Sequence, residues 1–249
     1  MSLYREFRGY LDDEVPVAVA TRLSGPAGAK MLVLSDGSSR GSLGNDLLDS
    51  AVRAHAVVLL REERNATIEY PEGEETLEVF IESFPAPPQL IIVGASHTAV
   101  PLSHYAARAG YKVIVCDARA AFALPERFPD AHGVLKGWPQ DLLPNLYLTR
   151  NTFVVLLSHD PRFDEPTLEL TIPSDVRYIG AIGSSRTQRE RFQRLRDAGF
   201  TEDQLARVYG PVGLDLGGRT PEETAVAILA EMTAVRYGRT GGFLRDRKK

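Results

Sequence analysis

Five short stretches of this 249-residue chain carry residue types suited to chemistry. They are Gly94-Ala95-Ser96-His97, Asp117 with Arg119, His159-Asp160 with Arg162, Gly183-Ser184-Ser185-Arg186, and Gly213-Leu214-Asp215-Leu216-Gly217. His97 and His159 have the chemistry of general bases or ligands, and equally that of loop histidines that only hydrogen-bond. Asp160 and Asp215 suit ligand hydroxyls or ring N–H groups, or the capping of turns. Ser184, Ser185 and Arg186 suit a phosphate at a helix start, or ordinary capping. The arginines of Arg186–Arg196 alternate with acids and read mostly as a solvated face. No Gly-x-Ser-x-Gly elbow occurs, and the separation of His97 from His104 does not match a zinc helix. These residues speak for binding of an anionic, heterocyclic small molecule more than for a reaction.

The element that must position the first two stretches is Leu90–Asp117. Leu90–Val93 is a short apolar, β-branched run, as in a strand buried on both faces. Gly94 starts a turn. Thr98–Ala109 has helical spacing, with Ala99, Leu102, Ala106 and Ala109 on one side and Pro101 tolerable only in the first turn. Gly110 ends the helix. Lys112–Cys116 is a second apolar strand with Asp117 at its carboxyl end. This is a strand–turn–helix–strand unit of the dinucleotide-binding kind, with the acid roughly 20 residues after the first glycine. In the Gly-x-Gly-x-x-Gly/Ala pattern the first glycine and the last small residue are present. The middle glycine is Ser96, whose Cβ crowds a pyrophosphate. Ordinary NAD binding is therefore disfavoured, while the helix N-terminus still suits some anion.

The other strands predicted after this unit are Thr152–Leu157, Arg177–Ile182 and Arg207–Tyr209. Helices are predicted over Thr187–Ala198 and from Thr220 to about Arg236, the second with Ala225, Ile228, Leu229, Met232 and Val235 inward. Thr201-Glu202-Asp203-Gln204 and Thr220-Pro221-Glu222-Glu223 are capping boxes. In an open parallel sheet, ligands bind outside the carboxyl ends of the strands, and all five chemical stretches fall at such ends.

Before residue 85 the pattern differs. It predicts a helix over Leu3–Leu11 and strands at Val15–Arg22, Lys30–Leu34, Thr67–Tyr70 and Thr76–Ser83. A helix over Leu47–Arg61 should bury Leu47, Val52, Ala56, Leu59 and Leu60. Pro85-Ala86-Pro87-Pro88 cannot join a central strand and reads as a stiff link. The fold class is α/β: a small amino-terminal α+β domain over 1–84, the proline-rich linker 85–88, and a Rossmann-like parallel-sheet domain over 89–249.

Hydrophobic content of 43% and charged content of 25% are ordinary for a soluble globular protein. A net charge of −4 without a long basic block argues against a nucleic-acid surface. The basic tail Arg245–Lys249 reads as a frayed end. The first residues do not form a signal peptide, and no apolar run approaches the roughly 20 residues that span a bilayer. A cytoplasmic protein without membrane insertion is expected. The single cysteine, Cys116, sits in an apolar strand and reads as a buried thiol.

The chain resembles the XdhC/CoxI family, the accessory proteins of xanthine dehydrogenase and related molybdenum hydroxylases. The resemblance is carried most strongly by Tyr178-Ile179-Gly180-Ala181-Ile182-Gly183-Ser184-Ser185-Arg186 and by Gly213-Leu214-Asp215-Leu216-Gly217-Gly218-Arg219-Thr220-Pro221-Glu222-Glu223. Ser158-His159-Asp160 and Gly94–His97 add to it, as do Gly28–Val33 and Asp36-Gly37 through Gly41-Ser42-Leu43-Gly44 in the small domain. Two departures stand out: Leu47 occupies the place of the family's cysteine, and the loop Ser24-Gly25-Pro26-Ala27 is short and lacks the family's arginine. A thiol-dependent step in that loop is thereby placed in doubt.

The resemblance implies a factor that binds molybdenum cofactor (molybdopterin) and delivers it to a xanthine dehydrogenase-like hydroxylase. It further implies a cysteine desulfurase-type sulfurtransferase as a partner, and a homodimer. Gly94, Ser96, His97, Asp117, His159, Asp160, Gly183, Ser184, Arg186, Gly213, Asp215 and Gly217 are the expected cofactor-binding residues. The alternatives are an NAD(P)-dependent oxidoreductase, in which Asp117 holds the ribose and His97 or His159 is the acid/base, and a non-catalytic ligand sensor.

Overall fold

The computed structural model describes residues 2–24, 28–72 and 75–246. The expectations for the shortened loop at Gly25–Ala27 and for the last three residues of the tail lie outside the described residues. The chain separates into two compact units, Met1–Ala86 and Pro87–Lys249.

The first unit holds helices α1 (Leu3–Asp12) and α2 (Asp46–Glu62) and strands β1 (Val17–Arg22), β2 (Lys30–Leu34), β3 (Ser39–Gly41), β4 (Ala66–Glu72) and β5 (Glu75–Phe84). The strands form one antiparallel sheet in the order β3-β2-β1-β5-β4. Strand β5 shows why alternation is a usable signal: Leu77, Val79 and Ile81 are buried, whereas Glu78 is exposed. Asn45 caps α2 by accepting the Leu48 N–H at 2.9 Å. The buried stripe of α2 begins at Leu48 and continues through Val52, Ala56, Leu59 and Leu60. Leu47 is not part of it and stands 85% exposed. Leu48, Val52, Ala56 and Leu60 recur every four residues on one face, and Leu47, five residues before Val52, falls off it. The loop before α2 is held from inside. The Leu43 N–H donates to the Asp49 carboxylate at 2.8 Å, and Arg22 donates to the Leu43 carbonyl at 3.1 Å.

The second unit contains six strands: β6 (Gln89–Val93), β7 (Lys112–Asp117), β8 (Gly133–Lys136), β9 (Thr152–Leu156), β10 (Tyr178–Ala181) and β11 (Val208–Tyr209). Its helices are α3 (Ala99–Arg108), α4 (Pro139–Leu142), α5 (Pro161–Thr171), α6 (Ser185–Asp197), α7 (Glu202–Leu205) and α8 (Pro221–Arg236). The strands are all parallel, in the order β11-β10-β9-β6-β7-β8. Both faces are covered, which is why the strands read as unbroken apolar runs. Leu90, Ile92, Val113, Val115, Phe153 and Val155 pack in one core cluster with Leu102 of α3 and Ile228 and Met232 of α8. Ile91, Val93, Ile114, Val154, Leu156 and Ile179 pack in the other with Phe163 and Leu168 of α5 and Leu195 of α6.

Register aligns the strand ends. Val93 pairs with both Cys116 and Leu156, and Leu156 pairs with Ala181. The loops that follow these residues therefore leave the sheet along one edge.

Strands β3 and β8 and helices α4 and α5 are absent from the sequence expectations. Helix α5 carries two prolines: Pro161 occupies the first helical position, and the helix runs on past Pro166. Burial of Phe163 and Leu168 outweighs the lost hydrogen bond. Helix α3 stops at Arg108, which leaves Ala109 exposed as its cap instead of on the apolar face.

Candidate functional site

The turn after β6 is the tightest point of the edge. The Gly94 N–H donates to the Cys116 carbonyl at 2.8 Å, and Gly94 has φ +100°. A Cβ there would stand 2.7 Å from the Ser158 backbone nitrogen, so the loops after β6 and β9 meet at this residue. Strand β6 lies between β7, reached by way of α3, and β9, which makes this the topological switch point of the sheet. The Ser96 N–H donates to the Gly94 carbonyl at 2.9 Å, and the buried Ser96 hydroxyl has no hydrogen-bond partner among the described residues. Thr98 precedes α3 without a side-chain cap, and Pro101 falls in the first turn. His97 is exposed.

Asp117 is wholly buried, and its oxygens are occupied. Oδ2 accepts the Ala95 N–H at 2.8 Å and Arg119 Nη2 at 2.7 Å; Oδ1 accepts the Arg119 backbone N–H and Nε, each at 2.9 Å. Burial pushes the Asp117 carboxyl pKa up, but these donors and the charge of Arg119 outweigh it and hold the group below the usual carboxylate range. The Arg119 guanidinium is half exposed and lies 4.3 Å from the centre of the Phe122 ring. Arg127 approaches the same ring at 5.6 Å and donates to the carbonyls of Ala95 at 3.1 Å and Phe122 at 2.9 Å.

The loop after β9 is fixed from below. Ser158 donates its hydroxyl to Asp164 at 2.7 Å, and the other Asp164 oxygen accepts Arg191 Nη2 at 2.7 Å. Arg191 also donates to Gln188 at 2.6 Å and to the Ile182 carbonyl at 3.0 Å, which ties in the loop after β10. Burial raises the Asp164 carboxyl pKa, and the bonds from Ser158 and Arg191 pull it back. Above this network His159 is exposed. Asp160 caps α5 by accepting the Arg162 N–H at 3.0 Å and holds the Arg162 guanidinium at 2.6 Å.

At the remaining strands, Ser184 accepts the Thr187 N–H at 3.1 Å as the cap of α6. Arg186 is spent on Glu190 of its own helix at 2.8 Å and is otherwise exposed. Gly183 has φ +140°, and a Cβ would come within 3.0 Å of Thr187. The Gly213 N–H donates to Glu231 at 3.0 Å, and the same carboxylate oxygen accepts the buried Tyr178 hydroxyl at 2.5 Å. Asp215 and Gly217 are exposed beyond that anchor.

Hydrogen bonds thus join the Gly94–Ala95 turn to Cys116 and Asp117, and Asp117 to Arg119; Gly94 packs closely on Ser158, and Arg191 brings in the loop at Gly183. Among the described residues no hydrogen bond or ion pair joins Arg186 or Asp215 to the other candidates. No group of three or more His, Cys, Asp or Glu side chains among them could hold a metal ion. Cys116 is buried, and burial, with the neighbouring Asp117 charge, pushes its thiol up to about 12.

Sequence reasoning missed Asp164, Gln188, Arg191 and Glu231. Arg191 in particular is not on a solvated face, being 1% exposed. A signal existed: Gln188, Arg191 and Leu195 follow the three-and-four spacing of one buried helix stripe.

A parallel sheet covered on both faces, with five loops of polar and glycine residues along its carboxyl edge, defines a Rossmann-type domain. Residues 90–232 match the XdhC Rossmann domain, and residues 11–71 match the XdhC and CoxI family. The chain belongs to the XdhC and CoxI family.

It is 30% identical over 171 residues to a probable xanthine dehydrogenase subunit of Bacillus subtilis (strain 168), covering 69% of this chain and 50% of that protein. It is 32% identical over 99 residues to the molybdenum cofactor insertion chaperone PaoD of Escherichia coli (strain K12), covering 39% and 31%. The chain therefore spans half or less of the length of these curated relatives. A crystal structure described as a xanthine dehydrogenase from Bacillus halodurans superposes with a TM-score of 0.72 at 26% identity, covering 93% of this chain and 65% of that one. No helix among the described residues is long and apolar enough to cross a membrane.

Proposed function

We propose that this protein is an accessory factor that binds molybdenum cofactor and delivers it to a xanthine dehydrogenase-type molybdenum hydroxylase. The observation that carries this reading is the likeness to PaoD, whose name is that of a cofactor insertion chaperone. The site agrees with it in kind. Five loops offer cations, carboxylates, exposed histidines and close backbone approach.

The residues fit the pterin part of the cofactor better than its metal. Arg119 and the uncapped start of α3 suit the terminal phosphate, and the exposed Asp215 suits ring N–H groups, whereas the Asp160 oxygens are taken up by Arg162. The one thiol is buried and protonated, so sulfur ligation from Cys116 is disfavoured. The bound cofactor would supply the metal and dithiolene chemistry to its eventual host, while this chain binds, orients and shields it. A cysteine desulfurase-type sulfurtransferase as partner, a homodimer and a cytoplasmic setting belong to the same reading.

An NAD(P)-dependent oxidoreductase is the second reading. The strand–turn–helix at Gly94 favours it, and the full occupation of Asp117 weighs against it, since a ribose diol needs a free carboxylate oxygen. A ligand sensor is the third. Anaerobic calorimetry with molybdopterin and with NADH, side by side, separates them. Molybdopterin binding that weakens in Asp215→Ala supports the proposal. Tight NADH binding with turnover of an alcohol or carbonyl overturns it. Mass spectrometry of small molecules that co-purify with the protein identifies the ligand independently.

A further inference from the structure

In a dinucleotide fold the acid at the end of the second strand ordinarily faces the ligand as a diol acceptor. Here that acid faces inward. Asp117 has no exposed surface, and its two oxygens accept four hydrogen bonds, one from Ala95 and three from Arg119. The group left facing solvent at this point is the Arg119 guanidinium, fixed edge-on by the carboxylate and laid against Phe122. A guanidinium whose plane is fixed in advance loses little freedom on meeting an anion, and its geometry matches phosphate oxygens.

A second arginine shares this ring. Arg127 lies over the other part of the cluster, near both Phe122 and Phe128, and it donates to carbonyl oxygens. Among the described residues no carboxylate lies within ion-pair reach of Arg127. The charges therefore do not cancel: Asp117 offsets Arg119, Asp160 offsets Arg162, and Arg127 remains. Ala95 joins the two arginines, because its N–H is held by the acid that braces Arg119 and its carbonyl by Arg127. The turn that begins at Gly94 is thus held on one side by the Asp117 carboxylate that braces Arg119 and on the other by the Arg127 guanidinium.

Resting on the reading that a ligand binds at the carboxyl edge of the second unit, we propose that Arg119 and Arg127, stacked on Phe122, form the subsite for a phosphate monoester. Asp117 is the brace of that subsite and no acceptor for a diol. The site then selects a phosphorylated ligand over the same ligand without its phosphate. The phosphate could belong to a pterin or to the ribose of a nucleotide, and the two are told apart by experiment.

The test is calorimetry at low salt on the full chain with two pairs of probes. One pair is molybdopterin and its phosphatase-treated form, handled anaerobically; the other is NADPH and NADH. The wild type is expected to prefer the phosphorylated member of the pair that binds by about 10- to 100-fold, the range of a charge-assisted hydrogen-bond set. Arg119→Met and Arg127→Met should each remove most of that preference, read within each variant as the ratio of its affinities for the two members of the pair, and Arg119→Lys should restore part of it. Because Arg119→Met leaves Asp117 without its partner, its fold is checked by circular dichroism, and Arg127→Met gives an independent reading. Equal affinity for both members of the binding pair, or a preference untouched by both methionine variants, overturns the inference and leaves the molybdopterin reading standing. Preference within the nucleotide pair alone, with no molybdopterin binding, overturns the molybdopterin reading and supports the subsite. Binding of none of the four probes overturns both.

Discussion

Arg191 donates to Asp164 at 2.7 Å, and the two side chains are only 1% and 5% exposed. An ion pair so enclosed does little for net stability against an apolar pair of the same shape, but losing one member leaves a buried charge alone. Its place explains its presence. It lies under Ser158 and beside the Ile182 carbonyl, and it holds the loops after β9 and β10 to one another.

Arg191→Met is therefore expected to destabilise the second unit by about 3–5 kcal/mol. The double variant Arg191→Met with Asp164→Leu should recover most of that loss. Urea unfolding followed by circular dichroism measures both. A single variant as stable as the wild type would show that the network carries no weight.

The buried brace at Asp117 gives a pH dependence. Its carboxyl is held below the ordinary value by its hydrogen bonds, so the unfolded chain binds the proton more readily than the folded one. The stabilisation is complete above the unfolded value near 4 and disappears as the pH falls through the lower folded value. Asp117→Asn should cost about 1.5–3 kcal/mol at pH 7, and the gap to the wild type should close in strong acid. Unfolding midpoints in urea from pH 2 to pH 7 test this, and a constant gap would rule it out.

Thiol chemistry separates two positions. Cys116 is fully buried with its thiol raised to about 12, so it should resist a disulfide reagent at pH 8 until the protein unfolds. Cys116→Ser should leave ligand binding nearly unchanged. A cysteine placed at Leu47, 85% exposed in the first turn of α2, should react at once, with stability altered by less than about 0.5 kcal/mol. Fast labelling of the wild-type chain would contradict the burial of Cys116.

Gly94→Ala forces a Cβ into a backbone with φ +100° and to 2.7 Å from Ser158. Backbone strain alone is worth about 1–3 kcal/mol, and the contact adds to it. The variant should unfold at lower urea and bind any ligand at this edge less well. Gly217→Ala serves as the comparison: φ is +73° there, but nothing lies within 4 Å of a Cβ, so only the backbone term applies. Equal losses in the two would mean that the approach to Ser158 is immaterial.

Much of this was legible in the sequence. Apolar runs at 90–93, 112–116, 152–157 and 177–182 pointed to the parallel sheet, because strands buried on both faces need no alternation. The two capping boxes, at Thr201 and Thr220, are both formed. Short or proline-bearing elements were not legible: four residues at Gly133–Lys136 carry too little pattern, and Pro161 and Pro166 hid a helix. The site was legible as a set of loops and not as a set of partners. Distances of 22 residues between Ala95 and Asp117, and of 27 between Asp164 and Arg191, are closed only by the folded sheet. An arginine among alternating charges looks solvated until a buried carboxylate is found beneath it.

The margins of the two sheets bear on how this protein meets others. Sheet edges offer unpaired backbone groups that recruit further strands. Here β11 has two residues, β3 three and β8 four, and β4, the longest edge, carries Pro71. None of the four presents a long regular row of donors and acceptors to a neighbour. A ladder of backbone hydrogen bonds shared with another chain has little to build on at β3, β8 and β11, so contact there would fall to side chains and loops.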